Sequence, residues 1–345
     1  MKLRYRLLSL LALLALYLFF QHCSRGTEES SDESDSTVVV RMLHSDETRA
    51  WLEDAVQRFK KQRPQIVVEL TSMGSMESID AIVSRRIEPL VWSPSDSIDL
   101  YMLVDRWKDR VTPEVFSREG AGAPQPMLLS PLVWLSWEAS APALQQLQQQ
   151  AHPGSPSLLS WDAVQQAIVD PMQEAGGGSD SRQFLTMGHA DPRRSSSGFQ
   201  ALYLLTLESF HSPRPPTASQ LNDLQYLQRV RTIENTAISS GLSTTRLLED
   251  MLRYGPSKFD FILTYESLAI HTLRTFPKSR WGGLRVFYPT YTVWNDHPVV
   301  QMATGLWNEE EKKAARQWIQ FLLSPEMQTR ALDYGFRPGD PNIAL

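Results

Sequence analysis

Apolar and polar positions along the chain fall into blocks whose period alternates between that of a strand and that of a helix. Val38 to Leu43 is a β-branched, apolar run and predicts a buried strand. After Ser45-Asp46-Glu47, the residues Trp51, Leu52, Ala55, Val56 and Phe59 share one face at helical spacing, and Pro64 stops that helix. Ile66 to Leu70 predicts a second strand. Gly74-Ser75 marks a turn, Ile79, Ile82 and Val83 a second helix, and Leu90 to Trp92 a third short strand before Ser93-Pro94-Ser95. This β-α-β-α-β order predicts a mostly parallel sheet with right-handed crossovers.

The pattern continues. Met127 to Trp137 is an extended apolar run, Ser160-Trp161-Asp162 starts a helix, and Gly176 to Asp180 reads as a loop. Phe184 to Gly188 predicts a strand ending at His189, and Arg193 to Gly198 leads into a helix carrying Phe199, Leu202 and Leu205. Residues 212–216 read as a Pro-rich loop, Leu221 to Ile238 as one helix, and Ser243 to Leu252 as another. Phe259 to Leu263 predicts a strand stopping at Tyr265-Glu266, and Arg285 to Tyr288 opens an extended return through Asp296-His297-Pro298 to Met302. Asn308 with Glu311 forms a capping-box pattern, Ser324-Pro325 places Pro at a helix start, and Gly335 ends that helix.

The N-terminus differs from all of this. Lys2, Arg4 and Arg6 precede a run from Leu7 to Phe20 that is apolar except for Ser9. As a helix the run is about 21 Å long, short of a hydrocarbon core of about 30 Å, so it reads as an export signal or an N-terminal anchor. Cys23 stands where a lipoprotein cysteine would, although Phe20-Gln21-His22 lacks the usual small residue before it. Lipidation and an uncleaved anchor both remain open, and each leaves the rest outside the cytoplasm and tethered to the membrane. Ser24 to Thr37 is acidic and Ser-rich, which predicts a disordered linker.

Composition narrows the function. The 345 residues suggest two domains of ordinary size. At 42% hydrophobic and 21% charged, the chain can bury a sizeable core. A net charge of −5 argues against nucleic-acid binding, which needs a basic surface. The single cysteine excludes an intrachain disulfide and a cysteine-based zinc site. His44, His189, Asp191, Glu266, Asp296 and His297 are possible metal donors near strand ends, but no compact ligand spacing joins them, and no metal or cofactor is expected. The chain has no nucleophile elbow, phosphate loop, dinucleotide fingerprint or locally spaced triad, so no catalytic residue is assigned and no enzyme is expected.

The candidate chemistry lies where strands end. In α/β sheets, ligands sit beyond the carboxyl ends of strands. Ser45, Ser75, Ser93 and the Ser195-Ser196-Ser197 run stand at such ends, just before helices. Any one of them could be a helix cap. Four together exceed what capping needs, because a helix start also offers free amides and a positive dipole to a polar ligand. Arg193 and Arg194 favour an anion, whereas Asp46 and Glu47 oppose one.

The same positions carry a resemblance. His189-x-Asp191-Pro192-x-x-Ser195-x-Ser197-Gly198, Tyr265-Glu266, Asp296-His297-Pro298 and Gly335-Phe336-Arg337-Pro338, with Ser45, Gly74-Ser75 and Trp92-Ser93-Pro94, resemble a family of bacterial extracellular solute-binding proteins. These are related to the binding components of ABC importers, are similar to the molybdate/sulfate group, and include modules found beside von Willebrand factor A domains. The resemblance spans about residues 38 to 340. It implies a type 2 periplasmic-binding fold: two α/β lobes with mostly parallel sheets, joined by two crossover strands near Leu128 to Trp134 and Asp296 to Met302. Lobe one would be 38–130 plus 299–345, and lobe two 131–298. It also implies hinge closure on a small polar ligand, an oxyanion among the candidates. Ser45, Ser75, Ser93, Ser197, Tyr265 and Glu266 are the ligand-binding candidates, and an ABC permease is the implied partner.

Two rivals stand beside this reading: a signalling or scaffold protein that keeps the fold without transport, and an exported metal-dependent hydrolase. One expectation follows from composition alone. Deleting residues 1–37 should leave a soluble chain with a single cooperative melt by circular dichroism, whereas insolubility or a broad, non-cooperative transition would show that the segment belongs to the fold.

Overall fold

The computed structural model describes residues 37–107, 114–155, 157–169, 172–173, 182–239, 243–276 and 280–344. The expected signal or anchor, Cys23, all of the acidic linker except Thr37, and the Gly176–Asp180 loop lie outside them. No helix of the described residues is long and apolar enough to cross a membrane. Val39–Leu345 forms one compact unit.

Strand β1 (Val38–His44) leads through a 3-10 turn at Asp46–Thr48 into α1 (Arg49–Gln62). Strand β2 (Ile66–Ser72), α2 (Ser75–Val83) and β3 (Val91–Ser93) follow as expected. Helix α3 (Ser97–Trp107) was not visible in the sequence pattern, because Asp99 interrupts its apolar face and is itself buried. The first sheet has the order β12-β3-β1-β2, where β12 is Val300–Gln301. Strands β1 and β3 are parallel, whereas β12, arriving from the far end of the chain, is antiparallel to β3.

Aromatic packing covers one side of this sheet. Phe59 of α1 meets Trp318 and Phe321 of α11 (Glu309–Leu322) at ring separations of 5.1 and 5.2 Å. On the other side Leu43, Ile79, Ile82, Trp92, Leu100, Leu103 and Trp107 form a second apolar cluster.

The second sheet is built on β4 (Leu128–Trp137). A run that is apolar at nearly every position suits a strand buried on both faces. Leu132 and Trp134 point into one core, and Val133, Leu135 and Trp137 into the other. The sheet order is β10-β4-β9-β7-β8, with β7 at Met187–His189, β8 at Ile238–Ser239, β9 at Phe261–Tyr265 and β10 at Leu284–Phe287. Strand β7 is parallel to both β8 and β9, and β4 is antiparallel to β9 and β10. Met172–Gln173 and Arg182–Gln183 make a separate antiparallel pair, β5 with β6.

Helices α4 (Ala141–Ala151), α5 (Trp161–Val169), α6 (Ser196–Ser209), α9 (Thr244–Tyr254) and α10 (Glu266–Thr275) belong to this part of the chain. The helix expected over Leu221 to Ile238 is two helices, α7 (Ala218–Leu221) and α8 (Leu224–Thr236). Asp223 breaks the run because its side chain caps α8, accepting from the Gln225 and Tyr226 amides. Ile238 leaves the helix for strand β8. Helix α4 was also missed, since its glutamine-rich sequence carries little apolar periodicity.

The first half of β4 ties the sheets together. It pairs with β11 (Trp294–Asn295) and with β13 (Arg337–Pro338) before it enters the second sheet. Gln125 bridges Val299, and the Met127 amide donates to the Asp296 carbonyl at 3.1 Å. Two antiparallel segments, 125–131 and 294–299, therefore run between the sheets. They overlap the expected crossovers, Leu128 to Trp134 and Asp296 to Met302, but lie two to three residues earlier, because Leu132 to Trp134 already pair within the second sheet and Val300 and Gln301 within the first. The capping box of Asn308 with Glu311 and the left-handed Gly335 stop (φ 82°), just after α12 (Pro325–Ala331), form as the sequence indicates.

Trp134 is fully buried and packs edge-on against Trp161 and Phe261, at ring separations of 5.0 and 5.6 Å. Trp134→Ala should destabilise by about 3–5 kcal/mol in a urea melt, through lost burial and the cavity left behind. Trp134→Phe should cost clearly less, since the ring contacts survive and the indole N–H has no partner to lose.

Candidate functional site

The strand ends of both sheets meet. Ser45 follows β1, Gly74-Ser75 follows β2 and Ser93 ends β3; Ser195 to Ser197 follow β7, Thr244 follows β8, and Tyr265 ends β9. The Ser45 amide donates to the Ser93 carbonyl at 3.0 Å. Ser75 Oγ accepts the Ser95 amide at 2.9 Å and bonds Ser95 Oγ at 2.9 Å. Across from these, Ser196 Oγ donates to Asp99 Oδ1 at 3.1 Å, and Ser195, Ser197 and Thr244 form a hydroxyl triangle. The Glu77 amide donates to the Arg194 carbonyl at 3.3 Å, and the Arg194 guanidinium pairs with the Glu77 carboxylate at 2.9 Å. Gly74 permits this approach, because a Cβ there would stand 2.5 Å from the Arg194 carbonyl oxygen.

The serines are not ordinary caps. Ser45 and Ser195 occupy N-cap positions, yet neither side chain caps its helix. Ser75 is the first residue of α2, after a Gly74 N-cap, and Ser93 is still in its strand. Ser45 Oγ and Ser93 Oγ are buried and have no hydrogen-bond partner. Buried hydroxyls are normally satisfied, so two unpaired ones a single backbone bond apart are notable. Ser243 Oγ is unpaired in the same way. It lines a polar cavity of about 230 Å³ with Asp46, Ser72, Gly74, Glu77, Arg194 and Arg246.

Acidic groups missed as a set in the sequence stand among the serines. His297 Nε2 lies 3.1 Å from Glu47 Oε1, and its Nδ1 faces the Leu128 carbonyl at 3.2 Å. Burial pushes the Glu47 carboxyl up, but the hydrogen bond and charge of His297 outweigh it, and the net shift is downward. Asp99 is fully buried; desolvation, then the charge of Asp96, hold its pKa well above the usual carboxylate range. Asp96 is pushed up to about 6, chiefly by burial, with Asp296 adding to the shift and the Ile98 amide and His297 opposing it. Glu47 and His297 are 250 residues apart in sequence, and Asp99 lies in the helix that periodicity did not reveal, so no local signal joined them.

Tyr265 and Glu266 part company. The Tyr265 ring packs edge-on against His297 at 5.6 Å, and its hydroxyl is buried and unpaired, with burial and then the Glu47 charge raising its pKa. Glu266 is turned the other way. Its carboxylate takes both Arg337 contacts at 2.9 and 3.0 Å, together with the Tyr288 hydroxyl, so it braces α10 against β13 and is not brought together with the serines. The strand-end histidines are also engaged. Nδ1 of His44 faces the Ser45 carbonyl and Nδ1 of His189 the Ala190 carbonyl, each at 2.8 Å, and His189 Nε2 lies 3.0 Å from Glu234.

Comparisons with known proteins bear on this arrangement. A family model described as bacterial extracellular solute-binding protein matches residues 40–337. The sulfate-binding protein SubI from Mycobacterium tuberculosis H37Rv is similar in structure, with a TM-score of 0.61 and 15% identity, covering 89% of each chain. A periplasmic thiamin binding protein gives 0.59 and 13%, covering 89% of this chain and 85% of that one. Iron-bound HitA from Pseudomonas aeruginosa gives 0.56 and 12%, covering 88% and 87%. At these identities the likeness is one of fold, the periplasmic-binding-protein fold. No curated protein sequence matches the chain.

The raised Asp96 pKa has a consequence for stability. Between its ordinary value of 3.8 and about 6 the folded state holds the extra proton, so stability falls as pH rises through that window and levels off above it. Asp96→Asn keeps the acceptor for the Ile98 amide and removes the charge. Thermal melts should show a gain of about 1–3 kcal/mol at pH 7.5 and a flatter slope between pH 4 and 6; an unchanged profile would mean the carboxyl titrates normally.

Proposed function

Because this chain belongs to the family of bacterial extracellular solute-binding proteins, we propose that it captures a small polar solute between two lobes and presents it to an ABC permease, on the outer side of the membrane to which its N-terminus tethers it. The lobes are 38–130 with 299–345, and 131–298, hinged on the two crossing segments. Closure brings the strand ends of one lobe onto those of the other.

The observation that carries the reading is the use of the serine hydroxyls. Ser45, Ser75 and Ser195 to Ser197 stand at helix starts from both sheets and Ser93 ends its strand; neither N-cap serine, Ser45 or Ser195, caps its helix, and Ser45 and Ser93 have no internal partner. Polar groups desolvated without a partner are what a hydrogen-bonding ligand satisfies. Ser45, Ser75 and Ser93 would grip from one lobe, and Ser197 from the other, with the Tyr265 hydroxyl as a further donor. Glu266 serves by bracing its helix. An oxyanion of the sulfate type fits the amides and hydroxyls, with Asp99 facing it in protonated form and Asp96, raised only to about 6, favouring it at mildly acid pH.

A thermal-shift screen with sulfate, molybdate, thiamin, metal ions, sugars and short peptides tests this. A ligand present at about 100 Kd should stabilise by about 2.7 kcal/mol. Ser45→Ala combined with Ser75→Ala should abolish that shift while the protein still melts cooperatively, at a lower temperature because the Ser95 amide loses its acceptor. Retained affinity in the double variant rejects the site, and the absence of any shift favours a scaffold role on the same fold.

A further inference from the structure

The helices of the second sheet carry a cluster that solute binding does not use. His152 follows α4, Asp162 stands in the first turn of α5, and Glu208 lies in the last turn of α6. Their donor atoms all lie within 4.8 Å of one another, the only such His/Cys/Asp/Glu group among the described residues. Glu208 lies 46 residues beyond Asp162 in sequence, and no ligand-like spacing announces the three.

Two of these side chains are anchored by one atom and leave another over. Asp162 Oδ1 accepts from Arg229 Nη2 at 2.7 Å, while Oδ2 faces His152 Nε2 at 3.8 Å, beyond hydrogen-bond range. Glu208 Oε1 accepts the Asp162 amide at 3.0 Å, while Oε2 is buried without a partner in a residue only 2% exposed. His152 Nε2 is likewise shielded and unpaired. A buried carboxylate oxygen without a partner, beside an imidazole nitrogen turned toward a second carboxylate, is costly unless a proton or a cation joins them.

We propose that His152, Asp162 and Glu208 form a binding site for one first-row divalent cation of the Zn²⁺ class. One imidazole and two carboxylates are a borderline donor set that suits Zn²⁺ better than the all-oxygen shells of Mg²⁺ or Ca²⁺. Donor atoms around a tetrahedral Zn²⁺ stand about 3.4 Å apart, so the side chains need only close slightly on the ion. The outer partners are in place: Arg229 fixes the far oxygen of Asp162, and the α5 amide fixes the far oxygen of Glu208, which orients both ligands. His152 and Asp162 are each 38% exposed, so water can complete the shell and the ion can enter. The bound ion would clamp the ends of α4, α5 and α6 without touching any serine of the solute site.

The test uses the full-length, untagged chain in detergent, stripped with EDTA and titrated with ZnCl₂ by calorimetry. Saturable binding of one Zn²⁺ per chain is expected. His152→Ala and the isosteric Glu208→Gln should each weaken it by at least the roughly 10–100-fold that loss of an outer partner costs, with cooperative melts retained. Co²⁺ should give four- or five-coordinate visible bands that His152→Ala removes. No saturable binding by the native chain overturns the proposal, as does Zn²⁺ binding that survives both substitutions. Preference for Mg²⁺ or Ca²⁺ over Zn²⁺ overturns the assigned class.

Discussion

Two extended segments, 125–131 and 294–299, run antiparallel between the sheets, held by the Gln125–Val299 bridge, by the Met127 and Leu128 amides on the Asp296 carbonyl, and by the pairing of Ser130 with Asn295. The placement of the strand ends depends on this ribbon. It enters the first sheet as β12 beside β3 and the second as the body of β4, so the carboxyl ends of β1, β3, β7 and β9 are brought to one place. His297 sits on the ribbon and links it inward: its amide donates to the Ser95 carbonyl, and its ring spans the Leu128 carbonyl and the Glu47 carboxylate. Asp296 beside it accepts from the Ser97 amide and hydroxyl at the start of α3. A small rotation of the ribbon would be felt at once by the groups around Ser45, Ser75 and Ser95.

Electrostatics at that place divide unevenly. Glu47 has an imidazole partner, and its charged form is favoured despite burial. Asp99 has hydroxyl and amide donors but no cation, and desolvation outweighs them. Hydrogen bonds alone offset only part of the cost of burying a carboxylate. Asp99 therefore adds less negative charge at neutral pH than the residue count suggests, whereas Asp96, raised only to about 6, is ionised there and opposes a ligand that carries negative charge. Glu266 shows the opposite case. A bidentate guanidinium satisfies it fully, and it acts as a brace.

Much of the fold was legible in order. The apolar runs at Val38, Ile66 and Leu128, the capping box at Asn308 and the glycine stop at Gly335 are local signals, and local geometry obeys them. The elements that escaped, α3 and α4, lack clean apolar periodicity because buried polar groups, Asp99 and Gln148, occupy positions where an apolar residue would mark the face. The serine positions were legible as helix starts, but whether their hydroxyls cap those helices was not. That is decided by Ser95, Thr244 and Asp99, which reach them from other segments.

By itself, then, the sequence determined the alternation of strands and helices, the points where they stop, and the family resemblance carried by short motifs at those stops, all of which depend on residues within a few positions of one another. Only the tertiary structure decided which carboxylates share a site, that Glu266 belongs to Arg337 and Glu47 to His297, and that His152, Asp162 and Glu208 converge. The reason is physical: burial and charge pairing act through space between groups up to 250 residues apart, and no periodicity along the chain encodes that distance.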